Sequence, residues 1–362
     1  MSILHPSLFR TFLAAAACAV AGLSAARAAT ESTAPVGYQT ISLLDNSDTY
    51  VSVPFHRPAV YHGQVASISG NVITVSGTPG WTSSQFVYAA GTQPNTYYVL
   101  VRNGAKEGNY YTVTANGSNT LMLDPAGDNL ATIGTQTTIA VIPYWTIATL
   151  FPPSDAGTSF TPSTLASINT SILIPNIHGV GINLASSATY FYFNNAWRKI
   201  GLSFAIDKGD DILLPDTYFI VRNTNAAQTG TFTTYGRVLT GKAAMVLTTR
   251  PDRAQDNPVA LARPVPVTLA ESNLIGSGAF AVTTNWVMPT DLLLVFDNTT
   301  RVINKSATGT YYYFNNGWRK IGHPPTADFS NDAVFSANYG VIIRKAATGT
   351  GSSATWANAP TY

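Results

Sequence analysis

The pattern of apolar and polar positions along this chain is that of short strands. Between residues 38 and 150, brief alternating runs are punctuated by turn residues. Residues 49–55 alternate and run into Pro54. Residues 64–75 hold two alternating runs separated by Gly70-Asn71, a pair suited to the φ > 0 positions of a tight hairpin turn. Further runs at 85–89, 97–102, 110–115, 120–124 and 137–143 complete a set with the spacing of a small barrel or sandwich. The segment 104–108, Gly-Ala-Lys-Glu-Gly, joins two of these strands; it lacks the spacing of a phosphate loop. Residues 151–158, rich in Pro, Gly and Ser, break the series.

Beyond that break the pattern is duplicated. Tyr190-Phe-Tyr-Phe-Asn-Asn-Ala-Trp-Arg-Lys-Ile-Gly201 recurs as Tyr311-Tyr-Tyr-Phe-Asn-Asn-Gly-Trp-Arg-Lys-Ile-Gly322, with ten of twelve positions identical at an offset of 121. Ile172 to Ile174 aligns with Leu293 to Val295, Asn183 with Asn304, Asp207 with Asp328 and Asp211 with Asp332. Arg222 and Arg344 end corresponding Tyr-led runs. The repeat therefore spans about 60–75 residues per copy, too few copies for a solenoid and suited to a pair of lobes. Residues 251–277 read as a Pro-rich connection. Within them Thr268 and Glu271 have capping-box spacing, the best helix start beyond the N-terminal segment. A strand ending in Arg-Pro, at Arg57-Pro58 and Arg263-Pro264, echoes faintly.

The expected fold is all-β: a small N-terminal barrel or sandwich at 31–150, followed by a β-rich region with two copies of a hairpin-centred repeat. The lobes are placed at 157–250 and 278–355. Residues 1–28 read as a secretory signal peptide, with Arg10 before an apolar run and Ala26-Arg27-Ala28 as the cleavage site. Cys18 lies within it, and a lipid anchor at Cys18 is the alternative. The expected compartment is thus periplasmic, outer-surface or extracellular. Cleavage would remove the only cysteine, so the mature fold is held by burial and ladders rather than disulfides.

Two of the 20 basic residues, Arg10 and Arg27, fall in the signal and none of the 18 acidic ones does, which leaves 18 of each sign. No basic excess remains for nucleic acid, and no later segment is long and apolar enough for a spanning helix. Charged residues are only 10% of the chain.

Asn46 to Pro58, Gln93 to Arg102, Glu107 to Gly117 and the repeated Phe-Asn-Asn-x-Trp-Arg-Lys-Ile-Gly resemble a family of exported bacterial proteins of unknown function. The resemblance covers essentially all of the chain after the signal. It implies a secreted or envelope-associated β protein and brings no catalytic residues with it.

Three kinds of chemistry are legible. Tyr190, Tyr192, Trp197, Tyr311, Tyr313 and Trp318 of the repeats are either aromatic core or a platform for a sugar, since rings cover C–H surface while Asn and Arg bond hydroxyls. Asp207, Asp210 and Asp211 form the densest acidic cluster, readable as a calcium loop or a solvated turn; position 218 is Tyr, not the Glu an EF-type loop requires. Carboxylates from 207–211 and elsewhere could serve a hydrolase. His56, His62, His178 and His323 show no metal-ligand spacing, and no Gly-x-Ser-x-Gly elbow is present. Arg102, Arg222 and Arg344 read as charges that keep sheet edges soluble. The leading expectation is an exported, non-catalytic structural or interaction protein, with other envelope or matrix proteins or a polysaccharide as partner. A carbohydrate-binding pair of repeats and a carboxylate hydrolase are the alternatives.

Overall fold

The computed structural model describes residues 35–225 and 229–362. The expected signal peptide and Cys18 lie outside them. The described chain is nearly all β, as its alternation requires.

Six strands close into a barrel: Tyr61–Ser69, Val72–Val75, Thr120–Leu123, Tyr110–Asn116, Tyr97–Val101 and Thr138–Pro143, in that order around the wall. Alternate residues such as Val65, Ile73, Val99, Leu121 and Val141 fill its interior. The turn between Ser69 and Val72 puts Gly70 at φ 56°, whereas Asn71, expected to share the left-handed region, does not take a positive φ. Residues 85–89, expected as a strand, form a turn instead. Their alternation has another cause: Phe86 plugs the barrel core, with its ring 5.1 Å from Trp81 and 5.2 Å from Tyr97. Strand Tyr97–Val101 is buried along its whole length because both of its faces have work. Val99 and Val101 point into the barrel; Tyr98 and Leu100 join a second core outside it.

The remaining chain folds as two equivalent lobes. The sheet of lobe 1 runs Ala196–Lys199, Ala188–Phe193, Thr170–Ile174, Phe219–Asn223, Ser47–Val51. That of lobe 2 runs Gly317–Lys320, Gly309–Phe314, Leu292–Phe296, Gly340–Lys345, Gln255–Val259, with Val282–Thr283 added alongside Gly309–Phe314. Smaller pairs match too: Val36–Leu43 with Gly230–Val238 corresponds to Ala243–Thr248 with Ser353–Asn358. The duplication is therefore larger than the 60–75 residues read from sequence. Strands near residue 48 and residue 256 belong to it, which the faint Arg-Pro echo foreshadowed.

Three expected boundaries change accordingly. Residues 36–51 pair with lobe 1 and not with the barrel. Residues 243–248 belong to lobe 2. The Pro-rich 251–277 is no mere connection, because Gln255–Val259 pairs with Gly340–Lys345. The barrel is an insertion between Phe55–His56 and Trp145–Thr146, a gap that lobe 2 spans with a short connector between Val259 and Val267. After each connector comes the same reciprocal box. Thr146 with Thr149 opens the one-turn helix Ile147–Leu150, whereas Thr268 and Glu271 bond each other's backbone in a turn with no helix after it.

The repeated hairpins turn on Asn-Asn in both copies. Asn194 and Asn195 take φ 50° and 55°, Asn315 and Asn316 take 47° and 55°. Asn316-Gly317, the stronger turn signal, is not the turn: Gly317 pairs with Phe314 in the ladder, as Ala196 pairs with Phe193. The left-handed positions thus fall on Asn, and the residue that differs between copies carries no positive φ.

The lobes are joined by an exchange. Arg222 of lobe 1 donates from Nε and Nη2 to Asp48 at 2.7 and 2.8 Å. Asn304 of lobe 2 reaches across, donating its backbone N–H to Asp48 at 2.8 Å and accepting from Arg222 at 2.6 Å. The mirror clamp has Arg344 on Asp256 at 2.7 and 3.0 Å, with Asn183 of lobe 1 donating to Asp256 at 2.8 Å and accepting from Arg344 at 2.8 Å. Asn183 and Asn304 both hold positive φ, which Asn tolerates. Ser52 N–H to Ala337 O and Ala260 N–H to Asp216 O repeat the exchange in the backbone. Arg222 and Arg344 are thus clamp members, not the edge charges expected. Asp48 and Asp256 are buried, so removing either strands a guanidinium and an N–H. Asp48→Ala and Asp256→Ala are each expected to lower the unfolding free energy by about 3 kcal/mol. Urea denaturation would read this as a lower midpoint; losses below about 1 kcal/mol would mean that the clamps behave as ordinary surface pairs.

Candidate functional site

The repeated hairpin packs its rings inward. Tyr190, Tyr192 and Trp197 are buried in the core of lobe 1, and Tyr311 and Trp318 in that of lobe 2, with Tyr313 packed against the latter. Trp197 lies 5.0 Å from Phe160 and donates Nε1–H to Phe151 O at 3.0 Å; Trp318 lies 5.0 Å from Phe280. A sugar platform needs open ring faces; five of these six rings are buried and Tyr313 is partly buried. The two strands are aromatic because both of their faces are covered. Phe191 and Phe193, on the other side, sit under Phe204 at 5.5 and 6.0 Å.

What these residues do build is a pair of matching clefts. In lobe 1 the Tyr190 hydroxyl donates to Asp211 at 2.7 Å, and Lys199 Nζ sits 5.3 Å above the Tyr190 ring and 3.5 Å from Asp211. In lobe 2 Tyr311 donates to Asp332 at 2.8 Å and Lys320 sits 5.1 Å above the Tyr311 ring. The first cleft has a volume of about 430 Å³ and is closed on one side by Tyr88 and Thr96 of the barrel region. The second, of about 330 Å³, has Asn331 where the first has Asp210. Burial and the neighbouring carboxylate push both tyrosine hydroxyls well above the ordinary phenol range. Burial alone would raise Asp211, but hydrogen bonds from Tyr190 and Lys208 hold it below the ordinary carboxylate range. At neutral pH the lobe 1 pair is therefore a phenol and a carboxylate, each far from exchanging a proton.

The acidic cluster is dispersed. Asp207 accepts from the Gly209 N–H at 2.9 Å, Asp210 from the Tyr88 hydroxyl at 3.0 Å, and Asp211 from Tyr190 and Lys208. Among the described residues no three Asp, Glu, His or Cys side chains gather as metal ligands. The calcium loop thus lacks its convergence of oxygens, and the turn geometry accounts for these carboxylates.

A buried polar junction escaped the sequence reading. His56 is buried, with Nδ1 2.6 Å from the Tyr98 hydroxyl and no protein partner for Nε2. It faces a cavity of about 20 Å³ at the seam of barrel and lobes, which Asp216 also lines. Asp216 accepts from the Tyr110 hydroxyl at 2.8 Å. Only the contacts of the folded chain bring His56 and Asp216 together; no spacing in the sequence marks them.

The surface around the repeats carries the other unexpected feature. Ile200, Leu202, Phe204 and Ile206, in the loop after the lobe 1 hairpin, are each between 41% and 52% exposed. The corresponding lobe 2 loop keeps Ile321 exposed and then continues with His323, Pro324 and Pro325. No protein-family model, curated protein or solved structure matches the chain.

Burial, with Arg102 and Arg263 adding repulsion, lowers the His56 imidazole from 6.5 to about 4. In the unfolded chain it would titrate near 6.5. As pH falls from about 6.5 to 4 the unfolded chain takes up a proton that the folded chain refuses, and about 3 kcal/mol of stability is lost. Asp216, raised by burial, works in the opposite sense, gaining stability as pH falls. A comparison with His56→Asn, which retains a partner for Tyr98, isolates the histidine. The wild type is expected to lose about 3 kcal/mol more than the variant between pH 7 and 4 in urea titrations; parallel curves would contradict this.

Proposed function

We propose that this chain is an exported, non-catalytic interaction protein of the cell envelope or extracellular space. The observation that carries the reading is the 200–206 loop. It leaves four large apolar side chains about half exposed within seven residues on a cross-braced β framework, and clustered apolar exposure marks contact surfaces. Apart from Phe204, which packs on the hairpin, the fold does not require it: the lobe 2 loop has His323 and Ala327 where lobe 1 has Leu202 and Ile206. The signal-like N-terminus and the resemblance to exported β proteins support the compartment.

The clefts support binding over catalysis. A hydrolytic pair needs one group ready to give a proton and another ready to take it. Here the Tyr190 hydroxyl is pushed up and Asp211 is held down, in mutual hydrogen bond. Such a pair orients a ligand or ties a loop; it does not move protons at neutral pH.

The test compares the wild type with Ile200→Ser/Leu202→Ser/Ile206→Ser, which leaves Phe204 on Phe191 and Phe193, using a photo-crosslinker at Ser203 in the native cells. The wild type is expected in the envelope or secreted-matrix fraction with a discrete cross-linked partner. The triple variant should lose that cross-link at least tenfold while its thermal midpoint shifts by only a few degrees. Equal fractionation of both proteins, with no cross-link, would remove the basis for this reading.

A further inference from the structure

An exposed pair of aromatic residues lies outside the repeated hairpin. Strands Val36–Leu43 and Gly230–Val238 pair antiparallel over eight positions. Their inward residues Ile41, Leu43 and Phe232 enter the lobe 1 core. Their outward residues form a ladder of cross-strand pairs: Val36 with Arg237, Tyr38 with Tyr235, Thr40 with Thr233, Ser42 with Thr231. Tyr38 is 80% exposed and Tyr235 is 66% exposed. The Thr40 and Thr233 hydroxyls lie 2.9 Å apart. From Val36 to Ser42 the ladder runs roughly 20 Å.

Two facts separate this face from ordinary surface. The ribbon is backed tightly at the level of the tyrosines. A Cβ on Gly37 would fall 2.5 Å from the Phe55 ring and one on Gly236 would fall 2.5 Å from His56 O, so both positions sit against Phe55–His56, the strand that pairs with Gly230–Val238 in the same sheet. The tyrosines therefore stand on a fixed base. Their rings are also dispensable to the fold: the equivalent ribbon of lobe 2 exposes Val246 and Thr355 and carries no outward aromatic.

We propose that this face binds a neutral polysaccharide chain. Two opposed phenol rings offer apolar area for the C–H faces of sugar rings. The Thr and Ser hydroxyls beside them both donate and accept, matching sugar hydroxyls. The face has no carboxylate, and Arg237 at its end is its single charge. An anionic or cationic polymer would find no matching row of charges here, whereas an uncharged, hydroxyl-rich chain meets complementary groups along the ladder. This goes beyond the apolar loop at 200–206, which has none of these hydroxyls flanked by paired rings.

The experiment uses the full chain after its signal segment, with microcrystalline cellulose, chitin, a soluble β-glucan and dextran as probes, and heparin as the anionic control. Pull-down and calorimetry should show binding to at least one neutral probe, nearly unchanged between 50 mM and 500 mM salt. Tyr38→Ala/Tyr235→Ala should weaken it at least tenfold with the thermal midpoint preserved, and Thr40→Val/Thr233→Val should weaken it less. The 200–206 triple serine variant should bind as the wild type does, so the two readings fail separately. The proposal is overturned by no binding to any neutral probe, by binding to heparin alone, by a tyrosine variant that binds undiminished, or by a wild type that dimerises through this face.

Discussion

Two carboxylates, Asp48 and Asp256, hold this molecule in register. Each is buried, each receives a bidentate guanidinium from its own lobe, and each is completed by an asparagine of the other lobe. A buried carboxylate is costly unless nearly every lone pair finds a donor. Neither lobe supplies all the donors for its own aspartate. The lobes must therefore dock for either site to be satisfied, and dock in one arrangement only. The rest of the organisation follows from that: the equivalent sheets, the clefts at equivalent places, and the freedom of surface loops to diverge while the frame stays fixed.

Divergence is visible wherever the frame does not forbid it. The Tyr–Asp hydrogen bond and the lysine above the ring persist in both clefts. The residues around them do not: Lys208 of the first copy stands where the second has Phe329, and Asp210 where it has Asn331. The loop after the hairpin is apolar in one copy and proline-rich in the other. The outward ribbon is aromatic in one and aliphatic in the other. Features kept twice are the ones that hold each lobe together, and features present once are where a specific contact has room to arise.

How much of this was legible in the chain depends on the range of the interaction. Strand periodicity and the repeated hairpin are local, so the all-β class could be read directly, whereas the extent of each lobe could not. Where the hairpins turn was less legible, because Asn-Gly is a stronger local signal than Asn-Asn, yet ladder register decides the turn. The partners of Asp48 and Asp256 lie in other strands and the other lobe, and only a worn Asp-to-Arg-Pro echo hinted at the match. His56 and Asp216 meet at a seam between separately folded parts. Tyr38 and Tyr235 are ordinary strand tyrosines until pairing sets them opposite each other. Burial of the repeat aromatics turned on whether the second face of the hairpin was covered, and Phe204, from a loop, covers it in lobe 1.

The strand Tyr97–Val101 has one further consequence. The barrel is inserted into lobe 1 of the chain, yet its outer wall, through Tyr98, Leu100, Ala140 and Ile142, packs in the same core as Leu293, Trp318 and Trp356 of lobe 2. Side chains one residue apart on this strand thus belong to two different cores. Melting the barrel would open the lobe 2 core to water, and melting lobe 2 would bare the barrel wall. Three parts that look separable in topology are bound into one cooperative unfolding unit, with the insertion acting as the tie.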